Sequence, residues 1–552
     1  MKDISCLNLN GLSESNDQIG LIPPYKALLF LWFLSCLLAL LGLGDLPLRD
    51  FDESTVARVA FEISNSNNLE RLLPTLWNEP YLNKAPGLHW IIAALINLTQ
   101  PDIHHNSHLP SEFIVRLGPA IISTFVIPFG GLLQWHLRPR DPAASVLTSV
   151  ILLTLLPIAR HGRLAMLDGS QLSAITLFWL LIVIAKNKPS YKLAWLGAGL
   201  SGSCLLLLKA PMFIPVSLAA ALPILFEKPL ANRSLTSWVA PLILGISPGI
   251  SWHIWHAISR GSNSFWLWGG DGALRVLFDS GEGGDMGVFV PISEFFEGGW
   301  PWLLLFPLGL LFAWAERNSS WGRWVLSTNL ILLLAILPLK TQLPWYSHPL
   351  WLPFALACSR PFSSLVRGTS YGMPFFKRYL ACLPYLWSSI GALLSLLAFS
   401  SYLGLLPEFS LYKNIFLCAG IGWLAGGVCL ISNIKKERII GVIILLLGSY
   451  FALLLLMSSD LWLWELNESW SVNNVVDMIP KNNSYQVFIE KGSDRPSLSW
   501  YLGQPVKTTD KIEENGLTLF RKSDLLKELA LRRDCRLLGQ NEEWSLALCH
   551  KE

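Results

Sequence analysis

The stretch ALLFLWFLSCLLALLGLGDLPLRDFDE, residues 27–53, joins an apolar run to an acidic cluster. The apolar part, Ala27–Gly44, has the length and composition of a membrane helix. Asp50, Asp52 and Glu53 follow it directly. A carboxylate beside a bilayer is costly unless it meets water or a partner, so this cluster indicates a functional site. The simpler alternative is an acidic, solvated loop, and the rest of the chain decides between the two.

The composition is that of a polytopic membrane protein. The chain has 552 residues, of which 52% are hydrophobic and 15% charged, with a mean hydropathy of +0.44. These values exclude a soluble globular protein of this size, and the net charge of +3 gives no indication of a nucleic-acid partner. The nine cysteines lie mostly in apolar runs without metal-binding spacing. Cys535 and Cys549 could pair in an oxidising compartment, but their spacing alone does not decide it.

Hydropathy predicts about thirteen membrane spans. The segment 87–99 is apolar but short, and counting it would put the basic loops on the wrong side, so we expect it to lie on the surface or dip into the bilayer. The first span has no cleavage site after it and is expected to be retained. The spans lie near residues 27–45, 113–136, 143–159, 171–186, 193–208, 211–226, 237–257, 300–315, 323–338, 345–359, 382–404, 414–432 and 438–458.

The positions of the basic residues predict the orientation. They gather in alternate short loops, for example at Arg138, Lys186 and Arg367, which places residues 1–26 in the cytoplasm. The transmembrane domain then covers 27–458, with long outer loops at 46–112 and 258–299. Residues 459–552 form a small soluble α/β domain on the outer side, with β-like and helical stretches. We therefore expect a polytopic α-helical membrane protein with an outer C-terminal domain.

Several carboxylates, cations and aromatic residues fall on the predicted outer face. Such a set suits a substrate with a phosphate head and a lipid tail, because cations stabilise a departing phosphate and a carboxylate can accept a proton. Each also has a simpler reading: the lysines snorkel, Asp168 caps a helix, and the histidines are structural. The set comprises Asp52, Glu53, Arg58, Tyr81, Lys84, Arg160, His161, Arg163, Asp168, Lys340, Tyr346 and His348.

In this order the motifs resemble those of the polyprenyl-phosphate-dependent membrane glycosyltransferases of the C-type fold. The nearest resemblance is to the lipid A aminoarabinose transferases and the protein O-mannosyltransferases. The matching motifs are the Asp-Glu pair after the first span, Tyr-Leu-Asn-Lys-Ala-Pro before an aromatic-rich helix, the Asp that heads the fourth span, and a late Lys…Tyr…Pro. Their family positions fall on Asp52, Glu53, Lys84, Asp168, Lys340 and Tyr346.

The chain departs from the family pattern near its lysine motif. Asn83 stands where the family usually has a carboxylate, Ala85 where it has a proline, and Val56 where it has a tyrosine. Because that carboxylate is a candidate metal ligand, the resemblance leaves a divalent cation as an open possibility. It also leaves open whether the sugar is aminoarabinose.

The resemblance implies an inverting glycosyltransferase of the bacterial inner membrane. It would move one sugar from an undecaprenyl-type polyprenyl phosphate to a lipid, glycan or protein acceptor on the outer face. Asp52 would orient or deprotonate the acceptor, with Glu53 beside it, and Asp168 would position the acceptor or a cation. The donor phosphate would bind Lys84, Arg58 and Lys340, with Arg160, Arg163 and Tyr346 in support, and Tyr81 and His348 would contact substrate.

Two other functions remain open, a transporter or flippase of lipid-linked sugars and a non-catalytic assembly protein whose tail binds a partner. A transporter predicts charges near the midplane and repeated halves, whereas the predicted spans hold few carboxylates and no repeat is visible. The loop 258–299 has seven glycines between Gly269 and Gly287. It is either a lid that closes over substrate or a plain linker.

Overall fold

A computed structural model of the chain describes residues 22–66, 68–100, 109–187, 191–226, 235–270, 289–340, 342–368, 374–463, 470, 472–480, 485–510, 513, 516–521 and 535–549. These residues are mostly helical and fall into two compact units. The first unit comprises the described parts of Met1–Leu41, Ala120–Arg163 and Leu167–Trp462. The second comprises those of Gly42–Pro119, Leu164–Met166 and Leu463–Glu552. We describe each by itself.

Long apolar helices build the first unit. Among the described residues, six helices are long and apolar enough to cross a membrane, and two bent pairs raise the number to eight. The six are Glu112–Leu137, which starts in the second unit, Leu167–Asn187, Lys192–Leu225, Pro374–Tyr402, Lys413–Ile431 and Lys435–Met457. The bent pairs are Pro142–Thr154 with Leu156–Gly162, and Val290–Gly298 with Trp302–Ala315. The other helices of this unit include Tyr25–Leu40, Leu235–Arg260, Ser320–Ile336 and Trp351–Arg367.

Each of the thirteen predicted spans coincides with helical structure, so the helical membrane-protein class is confirmed. Two predicted spans, 193–208 and 211–226, form the single helix Lys192–Leu225, which breaks at Lys209. The number of membrane crossings stays a prediction. Of the predicted lid or linker 258–299, residues 271–288 lie outside the described part of the chain, and the described ends are largely helical.

Small residues let two helices of the first unit pack at close range. A Cβ atom added at Gly199 would lie 2.2 Å from the Leu242 carbonyl oxygen and 2.7 Å from the Gly245 Cα atom. The Lys192–Leu225 and Leu235–Arg260 helices therefore touch through their backbones. Membrane helices commonly pack in this way, because the hydrophobic effect does not drive their association inside a lipid bilayer.

Basic residues from several predicted inner loops meet in one network in the first unit. Asp141 accepts a hydrogen bond of 2.7 Å from the Ser363 hydroxyl and one of 2.5 Å from the Arg367 guanidinium. Arg138 pairs with Glu316, and Arg360 lies 3.4 Å from the same carboxylate. These residues were predicted to share one membrane face, and the network agrees with that grouping. The orientation of that face stays a prediction.

The second unit contains the segment that follows the first apolar helix. Its helices are Asp52–Asn65 and Gly87–Thr99, and a hairpin joins strands β1 (Thr75–Leu76) and β2 (Glu79–Pro80) between them. The predicted short helix 87–99 is therefore present with the expected bounds. The turn residues Trp77 and Asn78 both have positive φ, of 55° and 66°, as a two-residue hairpin of type I′ requires.

The C-terminal part of the second unit is a mixed five-stranded sheet in the order β4-β3-β5-β7-β6. The strands are β3 (Gln486–Glu490), β4 (Lys507–Thr509), β5 (Gly516–Arg521), β6 (Cys535–Gln540) and β7 (Trp544–Cys549). Trp470, Val487, Leu519 and Leu546 belong to its buried core. The predicted strands at 485–489 and 518–520 coincide with β3 and β5, whereas the predicted helix 523–533 lies outside the described residues, as do the side chains of Cys535 and Cys549. This part also contains the short helices Val472–Val476 and Pro496–Leu502.

Candidate functional site

Glu53 is a fully buried carboxylate in the second unit. The Arg116 guanidinium donates to its two oxygens over 2.8 and 2.7 Å, and neither side chain is exposed. The backbone N–H groups of Ala165 and Arg49 donate to the same carboxylate over 2.7 and 3.0 Å. Burial alone would raise the pKa of Glu53, but the charge and hydrogen bonds of Arg116, with those of the two amides, hold the pKa below its ordinary value. This enclosure favours a structural role for Glu53 at the start of its helix, whereas the sequence predicted a catalytic one.

Asp52, one residue earlier, is in a different environment. It is the first residue of the Asp52–Asn65 helix and is half-buried, so its carboxylate keeps some access to water. Tyr81 is buried nearby, and its ring contacts the His89 ring at a centroid distance of 5.5 Å. Burial and then the negative charge of Asp52 raise the pKa of Tyr81. The helix start thus presents Asp52 close to a buried phenol.

The charge of Lys84 affects the pKa of His89, the other ring of this pair. Burial lowers the pKa of His89 to about 4, and the charge of Lys84 acts in the same direction. His89 is therefore neutral at physiological pH. Each ring of the pair is therefore influenced by one candidate residue of the second unit: Tyr81 by the candidate base Asp52, and His89 by the candidate phosphate ligand Lys84.

Arg58 is engaged with the hairpin. Its Nε atom donates to Glu62 over 2.8 Å, and its guanidinium lies 3.8 Å from the centroid of the Trp77 ring. Glu62 also accepts hydrogen bonds from Thr75 Oγ1 at 2.6 Å and from the Trp77 N–H at 2.7 Å. This arrangement favours a role for Arg58 in holding the hairpin that precedes Lys84.

The first unit places a polar cluster at the break in the Lys192–Leu225 helix. Lys209 has φ −143° and ψ 83°, and Pro211 follows two residues later. A proline lacks the N–H that the helix ladder needs, so it favours a break just before it. The Lys209 Nζ atom lies 3.2 Å from an Asp168 carboxylate oxygen and 4.7 Å from the centroid of the Tyr346 ring. All three side chains are largely buried.

Two buried histidines lie in the same unit. The rings of His161 and His348 meet edge to face with centroids 5.7 Å apart. Among the described residues, neither ring nitrogen of either histidine has a hydrogen-bond partner. His348 belongs to the segment Pro344–Leu350, as does Tyr346, which contacts Lys209 of the charged cluster. Unsatisfied buried nitrogens beside a charged cluster are suited to polar groups of a substrate.

The remaining predicted cations differ in environment. Arg163 is fully buried, donates to the backbone carbonyls of Met457 and Leu41, and lies 4.1 Å from the centroid of the Trp462 ring. That arrangement favours a structural role for Arg163. Arg160 is also buried, whereas Lys340 is exposed.

Sequence reasoning missed Arg116 and Lys209, because both lie within or beside predicted apolar spans. A charge in an apolar helix is itself a signal, since it needs a partner there. Lys209 carries a second sequence signal, because Lys209-Ala210-Pro211 repeats the Lys84-Ala85-Pro86 motif. Within the described ranges no group of three or more His, Cys, Asp or Glu side chains could hold a metal ion.

No protein-family model matches the chain. It is 26% identical over 316 residues to an undecaprenyl phosphate-alpha-4-amino-4-deoxy-L-arabinose arabinosyl transferase of Erwinia tasmaniensis, an alignment that spans 55% of the chain and 54% of that relative. It is 23% identical over 452 residues to the transferase of the same name in Pectobacterium carotovorum, spanning 79% of the chain and 76% of that relative.

Solved structures extend the likeness over nearly the whole chain. ArnT from Cupriavidus metallidurans bound to undecaprenyl phosphate matches with a TM-score of 0.68 and 15% identity, over 95% of this chain and 96% of that one. The apo state of the same protein matches over the same shares, with a TM-score of 0.65 and 13% identity. The chain therefore has the fold of the lipid A aminoarabinose transferases, and the resemblance to these C-type membrane glycosyltransferases that its motifs predicted is confirmed.

Proposed function

We propose that the protein is a membrane glycosyltransferase that moves a sugar from an undecaprenyl-type polyprenyl phosphate to a lipid acceptor on the outer face of the membrane. The observation that carries the proposal is the buried Lys209–Asp168–Tyr346 cluster in a chain of this fold. Two sequence relatives are named as transferases of an undecaprenyl-phosphate-linked aminosugar, and one similar structure was solved with undecaprenyl phosphate bound. The N-terminus would lie in the cytoplasm and the C-terminal sheet outside it.

The reaction requires one proton acceptor and one stabiliser of phosphate charge. An acceptor hydroxyl oxygen bonds to the anomeric carbon of the sugar while the bond from that carbon to the donor phosphate oxygen breaks. The hydroxyl proton goes to a carboxylate, and the polyprenyl phosphate leaves with one additional negative charge. Attack from the face opposite the phosphate inverts the anomeric carbon, as the resemblance implies.

Asp52 is our candidate for the base. Asp52 is partly exposed, whereas its neighbour Glu53 is enclosed by Arg116 and two backbone amides. A general base must reach the proton that it removes, which a fully enclosed carboxylate cannot do. We therefore assign the proton transfer to Asp52 and a structural function to Glu53.

Lys209 is our candidate for the phosphate ligand in the first unit. Its amine is a compact charge with three donors, and Asp168 uses one of them at 3.2 Å. The other two donors are suited to phosphate oxygens, and the Tyr346 ring lies beside the amine. Lys84 would bind the donor phosphate as the resemblance implies, with Arg160 and the exposed Lys340 in support. Tyr81 and His348 would contact the substrate.

A transfer assay tests the proposal. The purified protein in phospholipid vesicles receives undecaprenyl phosphate carrying either labelled aminoarabinose or a labelled hexose, together with lipid A as acceptor. We expect labelled lipid A from at least one donor, and loss of the product by about 100-fold or more in Asp52→Asn, because general base catalysis typically contributes that much. Asp45→Asn, which changes an exposed carboxylate of the same loop, should retain parental activity.

Two outcomes would contradict the proposal. Full transfer by a folded Asp52→Asn protein would remove the proposed base. Movement of the labelled donor across the vesicle membrane without product would favour a flippase. For the orientation, a reporter fused after Glu552 should be active only outside the cytoplasm, and activity inside would invert the assignment.

A further inference from the structure

The segment that precedes Asp52 contains a strained backbone turn. Phe51 has φ 53° and ψ −59°, and the Asp52 N–H donates to the Asp50 carbonyl over 2.6 Å. These values describe a three-residue γ-turn of the rare, strained kind. Phe51 is 42% exposed, so its ring is not part of a buried core. Such a turn persists only where the surroundings impose it.

Two buried charge clusters hold the turn, one on each side. After it, Glu53 pairs with Arg116, as described above. Before it, the Asp50 side chain is 0% exposed, and its carboxylate pairs with the Arg495 guanidinium. The same carboxylate accepts hydrogen bonds from the Ser497 hydroxyl and, over 3.1 Å, from the Ser497 N–H. Asp52 thus lies between two fixed points on a short length of chain.

Arg495 is itself fixed by the core of the C-terminal sheet. Its guanidinium donates to the Trp470 carbonyl and lies 4.6 Å from the centroid of the Trp470 ring. Trp470 in turn packs against Trp544 of strand β7, with ring centroids 4.9 Å apart. The contacts therefore run without interruption from the sheet core through Arg495 to Asp50 and the turn.

Further contacts tie the same two segments together. The Tyr501 hydroxyl accepts a hydrogen bond from the Leu48 N–H at 2.7 Å and donates to Glu112 at 2.9 Å. Phe61 of the Asp52–Asn65 helix meets the Trp500 ring edge to face at 6.3 Å. The helix 496–502 of the C-terminal part therefore braces both ends of the segment that presents Asp52.

We propose that the C-terminal domain sets the position of the catalytic base. Arg495 and Ser497 are positioning residues that hold Asp50 in place. Through the γ-turn at Phe51, the position of Asp50 fixes the orientation of the Asp52 carboxylate. The inference rests on the proposed function of Asp52. It gives the soluble domain a part in the transfer step beyond solubility or partner binding. Misplacing a catalytic group by about 1 Å can lower the rate about 100-fold, so such a brace affects turnover.

Turnover measurements on the full-length protein test the inference. Arg495→Lys keeps the charge but loses the planar fork, and Ser497→Ala removes one hydroxyl donor to Asp50. We expect kcat to fall about 10-fold or more in both variants. KM for the donor should be unchanged, because donor binding does not depend on the orientation of the Asp52 carboxylate. Lys491→Ala is the matched control, since Lys491 and its partner Asp510, 3.5 Å away in the same domain, are both exposed.

A second measurement separates positioning from general structural support. When Ser497→Ala is added to Asp52→Asn, the residual activity should not fall further, because there is no longer a carboxylate base whose position matters. Multiplicative losses in the double variant would overturn the inference. So would a parental kcat in both Ser497→Ala and Arg495→Lys. Unchanged transfer by Asp52→Asn itself would instead refute the proposed function, so the two failures are distinguishable.

Discussion

Replacement of Arg116 by methionine is the most direct test of how the second unit holds Asp52. The guanidinium has five N–H donors. They are engaged by both Glu53 oxygens at 2.8 and 2.7 Å, by Leu43 and Leu46 at 3.1 and 2.7 Å, and by Pro47 at 2.7 Å. Methionine fills a similar volume but donates to none of them. The change would leave a buried carboxylate with two backbone donors and three backbone carbonyls without this partner.

The expected loss follows from the burial of the pair. Both side chains are 0% exposed, and removing one partner of a buried ion pair typically costs about 3–5 kcal/mol. That is a large fraction of the stability of most domains. For a unit of this size it corresponds to a fall in Tm of about 10 °C. Arg116→Lys should be intermediate, since an ammonium has three donors and no fork.

Thermal unfolding of the purified protein in detergent measures the effect. Arg71→Met is a suitable control, because Arg71 is an exposed arginine of the same unit. Adding Glu53→Gln to Arg116→Met should recover part of the loss, since it removes the unpaired charge. A Tm for Arg116→Met within about 2 °C of the parent would refute the reasoning. A double variant that is less stable than Arg116→Met alone would refute it as well.

Three further predictions concern other parts of the molecule. Lys209→Gln should weaken binding of undecaprenyl phosphate about 10- to 100-fold, because it removes a charge-assisted contact. Lys192→Gln, at the exposed start of the same helix, should leave binding unchanged. Equal binding by both variants in a titration would contradict the assignment. Gly245→Val should lower the Tm by several degrees, because the added Cβ would lie 2.3 Å from the Leu196 carbonyl oxygen, and an unchanged melting curve would exclude this close packing. Burial lowers the pKa of His89 from 6.5 to about 4, so on acidification the unfolded chain takes up this proton before the folded chain does. His89 therefore contributes about 3 kcal/mol to the free energy of unfolding above pH 6.5, and this contribution is lost as the pH falls to 4. His89→Phe should flatten the dependence of Tm on pH in that window, and an unaltered slope would show that His89 does not contribute.

The sequence predicted the class of fold and the positions of the long apolar helices. Hydropathy is a local property, so runs such as Ala27–Gly44 and the segment 87–99 could be recognised without any knowledge of their neighbours. The motifs around Asp52, Lys84 and Asp168 predicted the resemblance in the same way, because each is a short string of adjacent residues. The comparisons confirm that resemblance.

The partners of the charged residues were decided by the tertiary structure alone. Nothing local distinguishes Asp52 from Glu53, yet one is half-exposed and the other is enclosed by Arg116, which is 63 residues away in the chain. Lys209 meets Asp168 across 41 residues. Asp50 meets Arg495 across 445 residues. Such pairings depend on how distant segments pack, and the free energy of a buried charge depends on its partner, so these pairings became visible only in the folded chain.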